Sequence, residues 1–242
     1  MMYLNERIDD LQRGGLRVIQ RADAFRFGTD AVLLADFAAP RRHDRVCDLG
    51  TGTGIIPLLL YARENTISAD AVEIQPDMAD MAARSMAMNG LNEKIRVLPG
   101  DLRSIRTLLP HARYELVTCN PPYGKAGGTL LNPDASKRLA RHEESCAIED
   151  VACAAAWLLQ NGGRLCCVFP AARMIEFSDA MRKYRMAPKR IRMVHSRVEK
   201  AAHLCLMEGM LDARPGLSIE PPLVIYDENN AYTPELRRIY GL

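Results

Sequence analysis

The 242-residue chain is marked first by what it lacks. No apolar run approaches the ~20 residues that a membrane-spanning helix needs. The opening MMYLNERIDDLQ is charged and has no apolar stretch of the signal-peptide kind. Seven cysteines form no CxxC pair, so neither a zinc knuckle nor a disulfide framework is expected, and no metal. Cys47, Cys119, Cys166, Cys167 and Cys205 sit in apolar runs and read as small buried hydrophobes of a reducing cytoplasm. Internal repeats and low-complexity linkers are missing too, and the formal net charge is only +2.

What the chain has is alternation. DRVCDL (44–49), ADAVEI (69–74), KIRVLPGD, YELVTC (114–119) and RLCCVFP read as five buried strands. Helical patterns stand between them: TGIIPLLLYAR, then PDMADMAARSMAMNG with Pro76 in its first turn and Gly90 as its stop. A third helix over 145–160 is expected to be halted by Asn161–Gly162–Gly163, and AARMIEFSDAMRKY is another. PKRIRMVHS and AHLCLMEGM follow with no helix between them, which predicts an antiparallel hairpin. Strand–helix alternation of this kind predicts an α/β fold, a doubly wound and mostly parallel sheet covered on both faces.

Two stretches carry chemistry. Asp48-Leu-Gly50-Thr-Gly52-Thr-Gly54 follows the first strand and opens a helix. Glycine there lets the backbone approach a ligand closely. The spacing is GxGxG, shorter than the GxGxxG that cradles a pyrophosphate, and suits a ribose and an amino-acid tail. Glu73 ends the second strand, where a carboxylate can accept both ribose hydroxyls. Asp101 follows the third, where it can accept from an adenine amine. Both also stand where a helix N-cap belongs, and capping is the competing reading for each.

Asn120-Pro121-Pro122-Tyr123 follows the fourth strand. An exocyclic amine is a weak nucleophile because its lone pair is delocalised. The Asn120 side-chain oxygen and the Pro121 carbonyl can accept its two N–H bonds and let the nitrogen rehybridise. The prolines stiffen the loop. Tyr123 offers a face for a base, a contact worth about 1–3 kcal/mol in single-strand binding. Positioning and electrostatics, with no strong general base, would supply the catalysis.

Charge is distributed unevenly. Between Arg182 and Lys200, eight basic residues face one acid, Glu199, for a net +7 in 19 residues. Arg182, Lys183, Lys189, Arg190 and Arg192 are candidates for nucleic-acid contact, against the alternative of a solvated face.

The glycine loop, the two strand-end acids and the terminal hairpin together resemble the S-adenosyl-L-methionine (AdoMet) site of class I methyltransferases, over about residues 43–210. The resemblance implies a Rossmann-like sheet of seven strands, and one methyltransferase domain. Its extension is 1–43, its core 44–210 and its tail 211–242. NPPY resembles the catalytic motif of amino-methyltransferases acting on adenine N6, cytosine N4, guanine N2 or a glutamine amide. The flanks RADAFRFGTDAVLLADFA (21–38), RLARHE (138–143) and PPLVIYDENNAYTPELRRIY resemble the bacterial tRNA1(Val) adenine-37 N6-methyltransferase family. By that resemblance AdoMet is the cofactor and tRNA the partner. Phe27 and Asp30 would lie near the methionine end of AdoMet, Asp30 also serving as a helix-start residue. Arg138, Arg141 and His142 would belong to a loop closing on RNA, with Lys125 in a Gly-rich stretch that orders on substrate. Glutamine methylation of a protein and a noncatalytic RNA- or AdoMet-binding module remain the rivals. The 43 residues before the core are too few for the helical bundle of the glutamine enzymes.

Overall fold

The computed structural model describes residues 3, 5–21, 28–122 and 148–242. One large sheet organises them. Strands β3 (Arg45–Leu49), β4 (Ser68–Glu73), β5 (Ile95–Pro99), β6 (Tyr114–Cys119) and β7 (Leu159–Pro170) are parallel neighbours in the order β5-β4-β3-β6-β7. The predicted hairpin is β8 (Met186–His195) and β9 (Ala202–Leu211), with β9 antiparallel between β7 and β8. These seven strands are the expected class I methyltransferase sheet. Two short strands, β10 (Ser218–Ile219) and β11 (Leu223–Val224), pair in parallel with β8 and were not foreseen. They are two residues each, and so short a run carries no periodicity to read.

Alternation along the strands feeds two cores. Leu116, Cys166, Val168, Leu204 and Leu206 face one side, with helices α1 (Thr29–Ala38), α2 (Ile55–Arg63) and α3 (Pro76–Met88). Val117, Cys167, Phe169, Cys205 and Met207 face the other, under α4 (Ile105–Leu108), α5 (Ile148–Leu158) and α6 (Met174–Lys183). The five cysteines read as hydrophobes are all buried. Each fully buried large side chain contributes about 1.5–3 kcal/mol.

Local chemistry sets the helix ends. Pro76 opens α3, and Gly90 closes it at φ +69° while Leu91 N–H donates to Met86 O at 2.9 Å. That is the left-handed C-terminal stop that only glycine adopts without strain. The stop expected at Asn161–Gly162–Gly163 is placed differently. The helix ends at Leu158, and these residues form a bulge inside β7, whose pairing jumps from Tyr114↔Leu159 to Leu116↔Arg164.

The front of the chain is a hairpin of β1 (Glu6–Asp10) and β2 (Arg17–Arg21), laid on α3. Ile19 N–H donates to Ser85 Oγ at 2.9 Å, and Arg84 forks onto Glu6. The C-terminal helix α7 (Pro234–Tyr240) is capped by Thr233 and packs on α1. Leu236 and Ile239 carry the tail into the core. No helix among the described residues is long and apolar enough to cross a membrane.

Candidate active site

The carboxyl ends of β3, β4 and β6 meet at one edge of the sheet. After Leu49 the chain turns back, and the N–H groups of Gly50 and Thr51 both donate to Val72 O, at 2.9 and 3.0 Å. Gly52 N–H donates to Glu73 Oε2 and Gln75 N–H to Oε1, each at 2.8 Å. Glu73, only 4% exposed, thus ties the loop to the start of α3. Each of its oxygens keeps a lone pair for an outside hydroxyl. Gly54 starts α2 at φ +83°, and a methyl group there would meet Met86 Cε at 2.5 Å and Ala82 Cβ at 3.3 Å. Only glycine lets α2 lie this close to α3. At Gly50 a methyl group would meet nothing within 4 Å, so the loop opens onto free space.

Behind the loop, Asp48 is fully buried. It lies opposite Thr118 in the β3–β6 register and accepts from the Thr118 hydroxyl at 2.6 Å. Its other oxygen and the Thr51 hydroxyl are buried near one another, off ordinary hydrogen-bond geometry. Burial pushes the Asp48 carboxyl up to about 7, the Thr118 and Thr51 hydroxyls offset part of this, and the Glu73 charge adds to it. An acid so placed gains from a cation brought near it. The bond also joins the strand leading to the glycine loop to the strand leading to Asn120.

Over the loop lies a cleft of about 300 Å³ lined by Gly50, Thr51, Gly52 and Thr53 together with Asn120. The two motifs therefore face one cavity. Pro121 is buried and Pro122 exposed just beyond it. Gln20, Gly28, Ala31 and Met78 stand in the wall too, with Arg21, Ile55 and Ile56 beside them. Sequence reasoning missed these residues. Gly28 lies inside the FRFGTDAVLLA stretch marked by resemblance, whereas Gln20 and Met78 reach the cleft only because β2 packs on α3. An open backbone floor and buried acids behind it fit a cationic nucleoside with an amino-acid tail.

Other expected residues fall elsewhere. Asp101 is not among the residues lining the cleft. It caps a short 3-10 turn, accepting from Arg103 N–H at 2.9 Å, and the Arg103 guanidinium grips it at 2.5 and 2.8 Å. That side chain holds the carboxyl below its usual range. Capping is the role this geometry displays. Asp30 sits in the first turn of α1, where its charge acts on His203 and Tyr240. Phe27, Tyr123, Lys125, Arg138, Arg141 and His142 lie outside the described residues.

The basic run meets partners from elsewhere in the fold. Lys183 pairs with Glu149 at 2.6 Å, and Arg192 with Glu235 at 2.8 Å. Arg190 reaches Glu208 at 3.2 Å and Glu220 at 3.1 Å and stacks on Phe37. Lys189 is bonded to Arg214 O at 3.2 Å, while Arg182 is exposed at the end of α6. Acids from other elements neutralise much of the +7, which a count along the chain could not reveal.

Residues 22–189 match the model of the methyltransferase small domain family. A tRNA1(Val) (adenine(37)-N6)-methyltransferase of Porphyromonas gingivalis is 31% identical over 91% of this chain and 89% of its own length. One from Tolumonas auensis is 33% identical over 88% and 86%. In shape, the chain is similar to the crystal structure of a predicted O-methyltransferase from Agrobacterium tumefaciens. The TM-score is 0.73 at 24% identity, over 88% of this chain and 96% of that one, a likeness of fold alone. With the glycine loop and Asn120 facing one cleft, and with relatives alike over nearly their whole length, the chain belongs to the methyltransferase small domain family, among the tRNA1(Val) (adenine(37)-N6)-methyltransferases.

Proposed function

We propose that the protein transfers a methyl group from AdoMet to the N6 amine of an adenine in tRNA, beside the anticodon of tRNA(Val). The observation that carries this is the shared cleft, which sets a nucleoside-type glycine loop against Asn120. The tRNA and the position come from the relatives, whose names state them.

When bound, AdoMet supplies a methyl group on a positively charged sulfur. The chain's residues hold and orient. Glu73 and the Gly50–Gly54 loop take the ribose side. Asp48, buried behind the glycine loop, would supply negative charge toward the cofactor's cationic end. The Asn120 side-chain oxygen and the Pro121 carbonyl accept the two N–H bonds of the adenine amine, which turns the nitrogen lone pair toward the methyl. Tyr123 stacks on the ring. After transfer the nitrogen is cationic and acidic, so its proton leaves to water without a dedicated base.

The test is incubation of the purified protein with methyl-labelled AdoMet and, separately, tRNA(Val), other tRNAs and a release factor. Nuclease digestion of the RNA should yield labelled N6-methyladenosine from tRNA(Val). Label in the release factor alone would assign glutamine chemistry instead, and label in neither would leave a binding module.

A further inference from the structure

We infer that the tail of the chain carries a stacking platform for an unpaired RNA base next to the target adenine, with Tyr226 as its open face. The inference rests on the proposed RNA substrate and adds the surface that receives it.

Three tyrosines form a ladder. Tyr226 and Tyr232 stack at 5.5 Å between ring centroids, and Tyr232 and Tyr240 at 5.6 Å. Tyr232 and Tyr240 are partly buried against the core. Tyr226 ends the ladder and is 37% exposed. The ladder is pre-built. Tyr226 and Tyr232 form an isolated antiparallel bridge. The turn between them is closed by Asp227, which accepts from the N–H groups of Asn229 and Ala231, both at 2.9 Å. Arg197 fastens the turn from outside through Asp227 O and the Asn230 side chain. A rigid ring on such a mount loses little entropy when a base lands on it.

Its place in the fold points to RNA near the reacting amine. β8 runs parallel to β7, so its last residue His195 lies at the same sheet edge as Asn120. Tyr226 N–H donates to Ser196 O at 2.9 Å just beyond it. At the other end of the ladder, the Tyr240 hydroxyl donates to Thr29 Oγ1 at 3.2 Å, and Gly28 beside it lines the cleft. The ladder therefore runs along the rim of the active edge. The neighbouring turn carries Arg197 and Lys200, neither in an ion pair with an acid among the described residues, and exposed Val198. Glu199 cancels one of those charges, so aromatic stacking rather than electrostatics is the main attraction. Every base offers a π face, and a platform of this kind holds the strand without reading it.

The experiment uses the full-length protein and a tRNA anticodon stem-loop with 2-aminopurine at single positions flanking the target adenine. In the wild type, fluorescence at one flanking position should be quenched on binding. In Tyr226→Ala the quench should disappear and the RNA KM should rise at least about fivefold, a difference of ~1 kcal/mol. Tyr226→Trp should restore both, while AdoMet affinity stays within twofold throughout. Equal quenching and KM in wild type and Tyr226→Ala would overturn the platform. Wild-type protein that methylates no RNA would instead sink the proposed function, so the two failures are distinguishable.

Discussion

At the scale of single residues, the proposed function divides the labour between Asn120 and Asp48. It gives Asn120 to the acceptor side. Asn120→Ala should abolish methyl transfer while AdoMet affinity, measured by calorimetry, stays within a few-fold. A collapse of AdoMet affinity would move Asn120 to the donor side. The proposal gives Asp48 to the donor side, and burial holds its carboxyl up to about 7. The folded chain therefore binds that proton more tightly than the unfolded chain does. The resulting stabilisation is complete below pH ~4 and is lost as pH rises through about 7. Asp48→Asn should accordingly be more stable than wild type at pH 8, by at most about 4 kcal/mol in unfolding free energy and with a higher Tm, and not at pH 4. A cation beside Asp48 favours its ionised form, so wild-type AdoMet affinity should strengthen from pH 6 to pH 8, and this dependence should vanish in Asp48→Asn. A Tm difference independent of pH would refute the titration. Asn120 and the glycine loop were legible in the sequence because residue type and position after a strand suffice to mark them. Thr118, which orients Asp48, was not. A threonine in a strand carries no mark until the β3–β6 register sets it opposite an acid.

Among the elements, the outer strands show how far charge partners can lie from one another along the chain. Arg190 in β8 and Arg164 in β7 converge on Glu208 of β9, at 3.2 and 3.1 Å, and Glu208 is only 7% exposed. Arg164 also reaches Ala38 O at 3.0 Å, tying the end of α1 to the sheet. Glu208→Ala would leave the buried Arg164 guanidinium with Asp44 at 3.5 Å and Ala38 O as its partners, and should cost at most about 3 kcal/mol in urea unfolding. Arg190→Glu would oppose two carboxylates at one buried site and should destabilise by a comparable amount. An RNA-binding defect in that variant would report misfolding rather than a lost phosphate contact. Arg182→Glu is the cleaner probe, since Arg182 is exposed. If its RNA affinity and salt slope match wild type, the surviving end of the basic run is a solvated face. The strands and helices of the core were read correctly from their apolar periodicity, whereas the front hairpin of β1 and β2 and the C-terminal helix were not read. The bulge at Asn161–Gly162–Gly163 and the two-residue strands β10 and β11 were not, because pairing across the sheet defines them.

For the molecule as a whole, the tail is part of the fold rather than an appendage. Leu223, Ile225, Leu236 and Ile239 are between 0% and 7% exposed and sit in the core shared with α1 and α2. At about 1.5–3 kcal/mol each, their removal approaches the 5–15 kcal/mol that typically separates folded from unfolded chains. A chain ending at residue 220 should therefore lose its cooperative thermal transition in calorimetry. A truncated chain that melts like wild type would show the tail to be dispensable. The same reasoning explains why the front hairpin matters to the site. By packing on α3, it carries Gln20 to the wall of the cleft.

The sequence alone determined the sheet with its two helical layers, the donor loop and the amine-holding motif, because each depends on local periodicity or on residue types beside one strand end. Tertiary structure decided which charges are paired, which acid caps a turn and which ties the glycine loop to α3, and where the tyrosines of the tail gather. Those properties depend on partners tens to hundreds of residues away, as Tyr240 and Thr29 show across 211 positions. No local pattern encodes contacts of that span. The carboxyl edge of the sheet brings them together.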